Sequence, residues 1–223
     1  MKLIEIKKKN GFSILAIILV IVAVIVAIGV WALSGESNSS SSQNSTSDIQ
    51  ASSLSNDIGT FKSQFDKLVI NGYNADRITF KPNENSPYNL LDPSTGESAK
   101  RPPAGVIRGE AAIPEGIYVY SKGIRGNQIG TEKDDYGIIV AGVKASTCRR
   151  LNYTLYGSEN IPKLSAVANA AAFVTGATAT DPTTTATLDL LSNEAVIGWT
   201  NGCVASGSSD SDQNVFFRIM KPN

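Results

Sequence analysis

The chain has 223 residues, in which 20 Lys and Arg balance 20 Asp and Glu, and it contains no histidine. The lack of histidine excludes the usual general base, the Ser-His-Asp and Cys-His arrangements of hydrolases, and the commonest zinc ligand. Beyond Gly11 the balance is 16 cationic against 19 anionic side chains, because four lysines and Glu5 precede it. We therefore predict no enzyme activity, no cofactor and no nucleic-acid partner.

A basic segment, residues 1–11, is followed by an apolar run from Phe12 to Leu33 that carries no charge over 22 residues. As a helix this run is about 33 Å long, which is enough to span the core of a bilayer. Four lysines lie on its amino side, so the amino terminus is expected in the cytoplasm and the rest of the chain outside. The run is also longer than the apolar region of an ordinary secretory signal peptide. The sequence therefore predicts a single-pass membrane protein.

The exported part is predicted to begin with a serine-rich spacer, residues 34–47, and to continue as one domain, residues 48–223. The spacer holds eight serines and no apolar side chain, which favours a flexible segment. An amphipathic helix is expected next, with Ser47 or Asp48 capping its start and Asn71-Gly72 ending it. Its apolar stripe, with steps of four and three, consists of Leu54, Ile58, Phe61, Phe65 and Leu68. We expect this stripe to pack on the core of its own domain; a helix-in-groove contact with a partner is the alternative.

The remaining sequence has the pattern of short antiparallel strands separated by glycine and proline. The predicted strands are ADRITF, AGVIRGEAAIP, GIYVYSKGI, YGIIVAGVKA, EAVIGWTNGC and NVFFRIM. Residues 144–157 are predicted to form a short helix with Cys148, Leu151 and Leu155 on one side. A helical turn is expected between Leu164 and Val174, and a chain turn at Asp181-Pro182. The expected fold class is α+β.

Cys148 and Cys203 both lie beyond the predicted membrane segment, in an oxidising compartment. The first expectation is one disulfide that closes a long loop, and two free structural thiols are the alternative.

Two acidic pairs and three sequons are the remaining candidate sites. Asp134 and Asp135 can be interpreted as paired catalytic carboxylates, but a solvated turn is the favoured interpretation. Asp210 and Asp212 superficially suggest a calcium loop, yet the segment lacks the Gly and distal Glu of an EF-hand, and a polar hairpin loop is favoured over a metal site. The sequons at Asn38, Asn44 and Asn152 are relevant only in a eukaryotic secretory pathway.

The stretch KKKNGFSILAIILVIVAVIVAIGVW, followed by an amphipathic helix and an antiparallel sheet, resembles the type IV pilin and pseudopilin family. In that family a prepilin peptidase cuts after the glycine and methylates the new amino terminus. The resemblance makes Gly11 the last leader residue and Phe12 the methylated first residue of the mature protein, with Ser13 where threonine is common. It also implies a pilin-like fold and a disulfide between Cys148 and Cys203 that brackets the carboxyl-terminal region.

Two features depart from the family pattern. The fifth mature position usually carries a glutamate that pairs with a neighbour's amino terminus, and here it is Ala16. The serine-rich spacer interrupts what is normally one helix from membrane to sheet. The resemblance thus implies a minor or atypical member.

The resemblance implies a structural subunit of a type IV pilus or type II secretion-like filament. Its implied partners are the membrane, the prepilin peptidase and other pilin or pseudopilin subunits. Its implied location is the bacterial inner membrane, with the domain in the periplasm or in an extracellular filament. The alternative is a single-pass anchored periplasmic or surface domain that binds a partner and never enters a filament.

Overall fold

The computed structural model describes residues 39–91, 100–108, 116–131, 133–164, 170–191, 193–206 and 214–221. The chain divides into two compact units, Met1–Gln43 and Asn44–Asn223. Of the first unit only residues 39–43 are described, and they are helical. The second unit contains helices and a mixed sheet, so the predicted α+β class is confirmed.

Helix α1, Ser39–Ile70, carries the apolar stripe that the sequence predicts. Leu54, Ile58, Phe61 and Phe65 are all buried in the core, and Leu68 packs against the same cluster. The helix ends where predicted, because Gly72 adopts a φ of 85° and donates its N–H to the Val69 carbonyl at 2.9 Å. The prediction that the stripe packs on its own domain is therefore confirmed.

The predicted start of α1 at Ser47 or Asp48 is wrong, since the helix begins at Ser39 within the serine-rich segment. Serine costs at most about 0.7 kcal/mol relative to alanine inside a helix, so continuing the helix through serines loses little. Both expected cap residues also have tertiary contacts: Ser47 is buried, and Asp48 forms an ion pair with Arg150. Those contacts favour the helical conformation over a cap.

Among the described residues, seven strands form one sheet with the order β3-β6-β7-β2-β1-β4, and β5 also pairs with β1. The strands are β1 (Val119–Arg125), β2 (Asp135–Val143), β3 (Lys163–Leu164), β4 (Thr183–Thr184), β5 (Leu188–Asp189), β6 (Asn201–Ser206) and β7 (Asn214–Lys221). The four long strands are antiparallel neighbours, as predicted. The three two-residue strands pair in parallel, so the prediction of a purely antiparallel sheet is wrong. Two-residue pairings depend on where the chain crosses the sheet and leave no local pattern.

Both faces of the sheet are buried, and successive side chains of each long strand enter different cores. Tyr118, Tyr120, Ile138 and Phe216 face α1. The opposite core contains Val119, Ile139, Phe217, Phe173 and Leu188. Because both faces are covered, β2 and β7 contain runs of consecutive apolar residues instead of a strict alternation with polar ones.

Two predicted strands contain 3-10 turns because an asparagine precedes each of them. The side chain of Asn74 accepts from the Asp76 N–H and begins the turn Ala75–Arg77. Asn193 accepts from the Ala195 N–H in the same way and begins the turn Glu194–Val196. The first predicted strand keeps one isolated pairing, Thr79 with Asn89, and the second begins only at Asn201.

Two other predictions are met in part. The predicted strand from 104 to 114 retains an isolated pairing of Ile107 with Val143, and residues 109–114 lie outside the described part of the chain. Between 164 and 174 the expected helical turn is the 3-10 turn Ala170–Val174.

Candidate interaction surface

Helix α2, Ala145–Tyr156, lies beside β6 and confirms the short helix predicted at residues 144–157. It ends at Gly157, which has a φ of 70° and donates to the Tyr153 carbonyl at 2.8 Å. Its buried side consists of Thr147, Cys148, Leu151 and Asn152, whereas Leu155 is only partly buried. Cys148 and Leu151 are apolar, whereas Thr147 and Asn152 are buried polar residues.

Cys148 and Cys203 form a disulfide that joins α2 to β6, with 5.3 Å between their Cα atoms. Both cysteines are fully buried. The predicted pairing is thereby confirmed, and the alternative of two free thiols is wrong.

Asn152 is fully buried one helical turn after Cys148, and its side-chain amide contacts the backbone of Cys203. Its Nδ2 donates to the Cys203 carbonyl at 3.0 Å, and its Oδ1 accepts from the Cys203 N–H at 2.9 Å. Nδ2 also donates to the Asn160 carbonyl at 2.8 Å. A buried amide with three hydrogen bonds avoids the cost of an unpaired polar group and sets the position of the helix.

An aromatic pair marks the carboxyl end of α2. The rings of Tyr156 and Trp199 stack with 4.0 Å between centroids and 7° between planes. The Tyr156 hydroxyl donates to the Asn201 carbonyl. Gly202 lies beneath the pair, and a Cβ there would come 2.7 Å from the Trp199 ring, so only glycine fits. Tyr156 and neighbouring Ile197 remain 37% and 43% exposed, which leaves apolar surface at this end.

A groove of about 320 Å³ lies between α1 and α2. Its walls include Asp48, Ala51, Ser52, Ser55, Leu151 and Leu155. One end has an ion pair between Arg150 and Asp48, and the Arg150 guanidinium also lies 5.0 Å from the Tyr153 ring centroid. Small side chains on α1 keep the groove open, and Tyr153 and Ile49 beside it are 47% and 68% exposed.

A second polar cluster ties α1 to the sheet. The Tyr118 hydroxyl donates to Asp57 Oδ2 at 2.7 Å, and Lys100 Nζ lies 3.3 Å from Asp57 Oδ1. Burial raises the pKa of Tyr118, and its hydrogen bond to Asp57 adds to the shift. Nearby, a hydrogen bond to Asp76 and burial raise the pKa of Tyr136 to about 12. These phenols therefore act as neutral donors that anchor elements, which is a structural role.

The acidic pair Asp134-Asp135 does not form the solvated turn that the sequence favours. Asp134 accepts from Arg125 Nε at 2.6 Å, and this contact raises the pKa of Arg125. Asp135 is fully buried and begins β2, so the expected solvated turn is wrong. The register of β1 and β2 places Asp135 opposite Ile124, which removes it from water.

The other sequence candidates divide into described and undescribed positions. Gly11, Phe12, Ala16, Asp210 and Asp212 lie outside the described residues. No helix in the described part of the chain has the length and apolar character needed to cross a membrane. In that same part no three His, Cys, Asp or Glu side chains are grouped to hold a metal ion.

The roles of Asn152, Tyr156 and Trp199 were not predicted from the sequence. Asn152 is part of a sequon, and it also lies on the same helical face as Cys148 and Leu151. A polar residue within a buried stripe is the available signal, since burial requires hydrogen-bond partners. The Tyr156–Trp199 stack has no comparable signal, because its two rings are 43 positions apart in the chain.

Comparison of the chain with protein families, with characterised proteins and with solved structures gave no match.

Proposed function

We propose that this chain is a pilin-like structural subunit, held in the bacterial inner membrane by residues 12–33 and assembled into a filament through that apolar segment. The proposed fold is pilin-like in its finer detail: a long amino-terminal helix and an amphipathic helix, with a sheet whose four long strands are antiparallel. Its mechanism is packing, with no catalytic step. Its partners are the prepilin peptidase, the membrane and neighbouring pilin or pseudopilin subunits.

The observation that carries the proposal is helix α1. It begins at Ser39, inside the segment expected to be a flexible spacer, and continues to Ile70. Its apolar stripe packs on a sheet whose four long strands are antiparallel. The serine-rich segment departs less from the family pattern than expected. The helix that packs on the sheet already begins at Ser39, which is closer in sequence to the apolar segment. The disulfide from α2 to β6 is a further supporting feature.

Cleavage between Gly11 and Phe12 is the test. We expect protein isolated from its native membrane to begin at Phe12 and to carry a methylated amino terminus, as measured by intact mass and amino-terminal sequencing. A Gly11→Val variant should retain residues 1–11, because the peptidase then meets a branched side chain at the cutting point. Asn10→Ala is the matched control and should be cut normally. A mature protein that begins at Met1, or beyond Leu33, contradicts the proposal.

The second candidate function is an anchored binding domain that remains outside any filament. The groove between α1 and α2 and the exposed Tyr153 beside it favour this alternative, because aromatic side chains next to a cleft are typical of binding surfaces. Processing at Gly11 separates the two functions, since an anchored domain has no need of a prepilin peptidase.

A further inference from the structure

The outer edge of β6 is closed by side chains along most of its length. In an antiparallel ladder alternate residues direct their backbone groups away from the partner strand, and in β6 these are Asn201, Cys203 and Ala205. The Asn201 carbonyl accepts from Tyr156, and both backbone groups of Cys203 bond Asn152. The Ala205 N–H donates to the Pro162 carbonyl at 2.8 Å, beside the two-residue strand β3. Side chains of α2 thus take the place of a neighbouring strand at two of the three positions.

The Asn152 amide reproduces what a paired strand residue offers. Its Oδ1 and Nδ2 present one acceptor and one donor to Cys203, at 2.9 and 3.0 Å. Its second Nδ2 bond, to the Asn160 carbonyl, links the same side chain to the segment after α2. The position of α2 along β6 therefore aligns the Asn152 amide with the outward-facing backbone groups of Cys203.

The sequence of β6 explains why such a cover is needed. NGCVAS contains no charge and no proline, which are the features that usually protect an edge strand from pairing with another chain. Its residues from Gly202 to Ser206 are buried in the folded chain. An uncharged edge is complementary to the same edge of a second copy, since two copies related by a two-fold axis pair antiparallel.

We propose that α2 is a cover that keeps the β6 edge from pairing with the β6 edge of a second copy of this chain, and that Asn152 is the positioning residue that holds the cover. The disulfide restrains α2 near the β6 edge. Asn152 forms hydrogen bonds with the Cys203 N–H and carbonyl, which are then not available to pair with another strand. This proposal is independent of the filament role, since it concerns unwanted pairing of the folded domain.

The test compares the full chain in detergent micelles with its Asn152→Leu variant. Leucine keeps a similar side-chain size and removes all three hydrogen bonds. At low concentration we expect the Cys203 amide to exchange about tenfold faster in the variant, because its N–H has lost its acceptor. At higher concentration we expect the variant to form dimers and larger species where the wild-type chain is monomeric, as measured by light scattering. The Cys203 amide should then become protected again.

Thr154→Ala is the matched control. Thr154 lies on the exposed side of α2, and its hydroxyl donates to the Arg150 carbonyl within the helix at 2.9 Å. This variant should behave like the wild-type chain in both measurements.

A folded Asn152→Leu chain with an intact disulfide that stays monomeric at every concentration overturns the proposal. Association that leaves the Cys203 amide unprotected overturns it as well. If the variant does not fold, amide hydrogen exchange in the wild-type chain tests the proposal instead. Exchange of the Cys203 amide together with the amides of α2 supports a cover that opens, and exchange only together with the amides of β7 contradicts it.

Discussion

Tyr118 illustrates how one buried hydroxyl connects two elements. Its ring packs edge-to-face on Phe61 of α1 at 5.0 Å between centroids, and its hydroxyl donates to Asp57 of the same helix. Lys100 completes the cluster, with Nζ 5.0 Å from the Phe61 ring centroid and 3.3 Å from the Asp57 carboxylate. The helix is therefore held on the sheet by a polar contact as well as by its apolar stripe.

Replacing Tyr118 with phenylalanine is expected to lower the free energy of unfolding by about 1 to 3 kcal/mol at neutral pH, because the hydroxyl donates to a carboxylate. Burial, together with the bond to Asp57, raises the pKa of Tyr118 above its ordinary value of 10.0. The native state thus holds this proton more tightly than the unfolded state. The stability it provides is complete below pH 10 and is lost as the pH rises above that value.

The wild-type chain should therefore lose stability more steeply above pH 10 than Tyr118→Phe does. Chemical denaturation at a series of pH values measures both effects. Tyr153→Phe is the matched control, because that ring is 47% exposed on α2. Equal slopes for the Tyr118 variant and the wild-type chain contradict the assigned role.

At the scale of elements, α2 and β6 behave as one unit because the disulfide and Asn152 join them at neighbouring helical positions. The two cysteines are 55 positions apart in the chain. A closed loop of this length restricts the unfolded chain strongly, which is the usual account of stabilisation by a disulfide.

Replacing both Cys148 and Cys203 with serine is expected to lower the free energy of unfolding by about 2 to 4 kcal/mol. Amide hydrogen exchange should increase first in α2 and β6, before it increases in α1 and the central strands. Peptide mapping without reductant establishes beforehand that the wild-type pair is linked. A uniform increase of exchange over the whole domain, or free alkylation of both thiols in the wild-type chain, contradicts this prediction.

At the scale of the whole molecule, Ala16 decides which kind of filament subunit we propose. A charged amino terminus among apolar helices needs a partner, since an unpaired charge in a low-dielectric environment is costly. Glutamate at the fifth mature position provides that partner, and alanine does not. A subunit present in few copies at a filament end tolerates the missing charge pair better than one repeated along its length.

We therefore expect this chain to be a minor component of purified filaments, as measured by quantitative mass spectrometry. Ala16→Glu should increase its share, because the carboxylate can pair with a neighbour's amino terminus. Ala16→Gln, which has a similar length and no charge, should not. If the unaltered chain is the dominant component, the amino terminus is stabilised in some other way, such as by hydration near the headgroups, and the minor-subunit assignment is wrong.

The sequence by itself determined the elements whose patterns are long and local. The stripe of α1 has a helical period over five apolar residues, and Asn71-Gly72 mark its end, so its existence and its carboxyl end were predictable. The strands β1, β2 and β7 each contain an apolar run that is bounded by turn residues, so they too were predictable. The disulfide was predictable from two cysteines in a chain that the sequence predicts to be exported.

Only the tertiary structure decided the features that depend on contacts between distant residues. Helix α1 begins at Ser39 and continues through the predicted caps, where Asp48 pairs with Arg150 about 100 positions later in the chain. Asp135 is buried by its register against β1, and Asn152 meets Cys203 across 51 positions. A local sequence pattern shows the period of one helix or strand. The partner of a buried polar group depends on how separate elements pack together, and no single segment of the sequence contains that information.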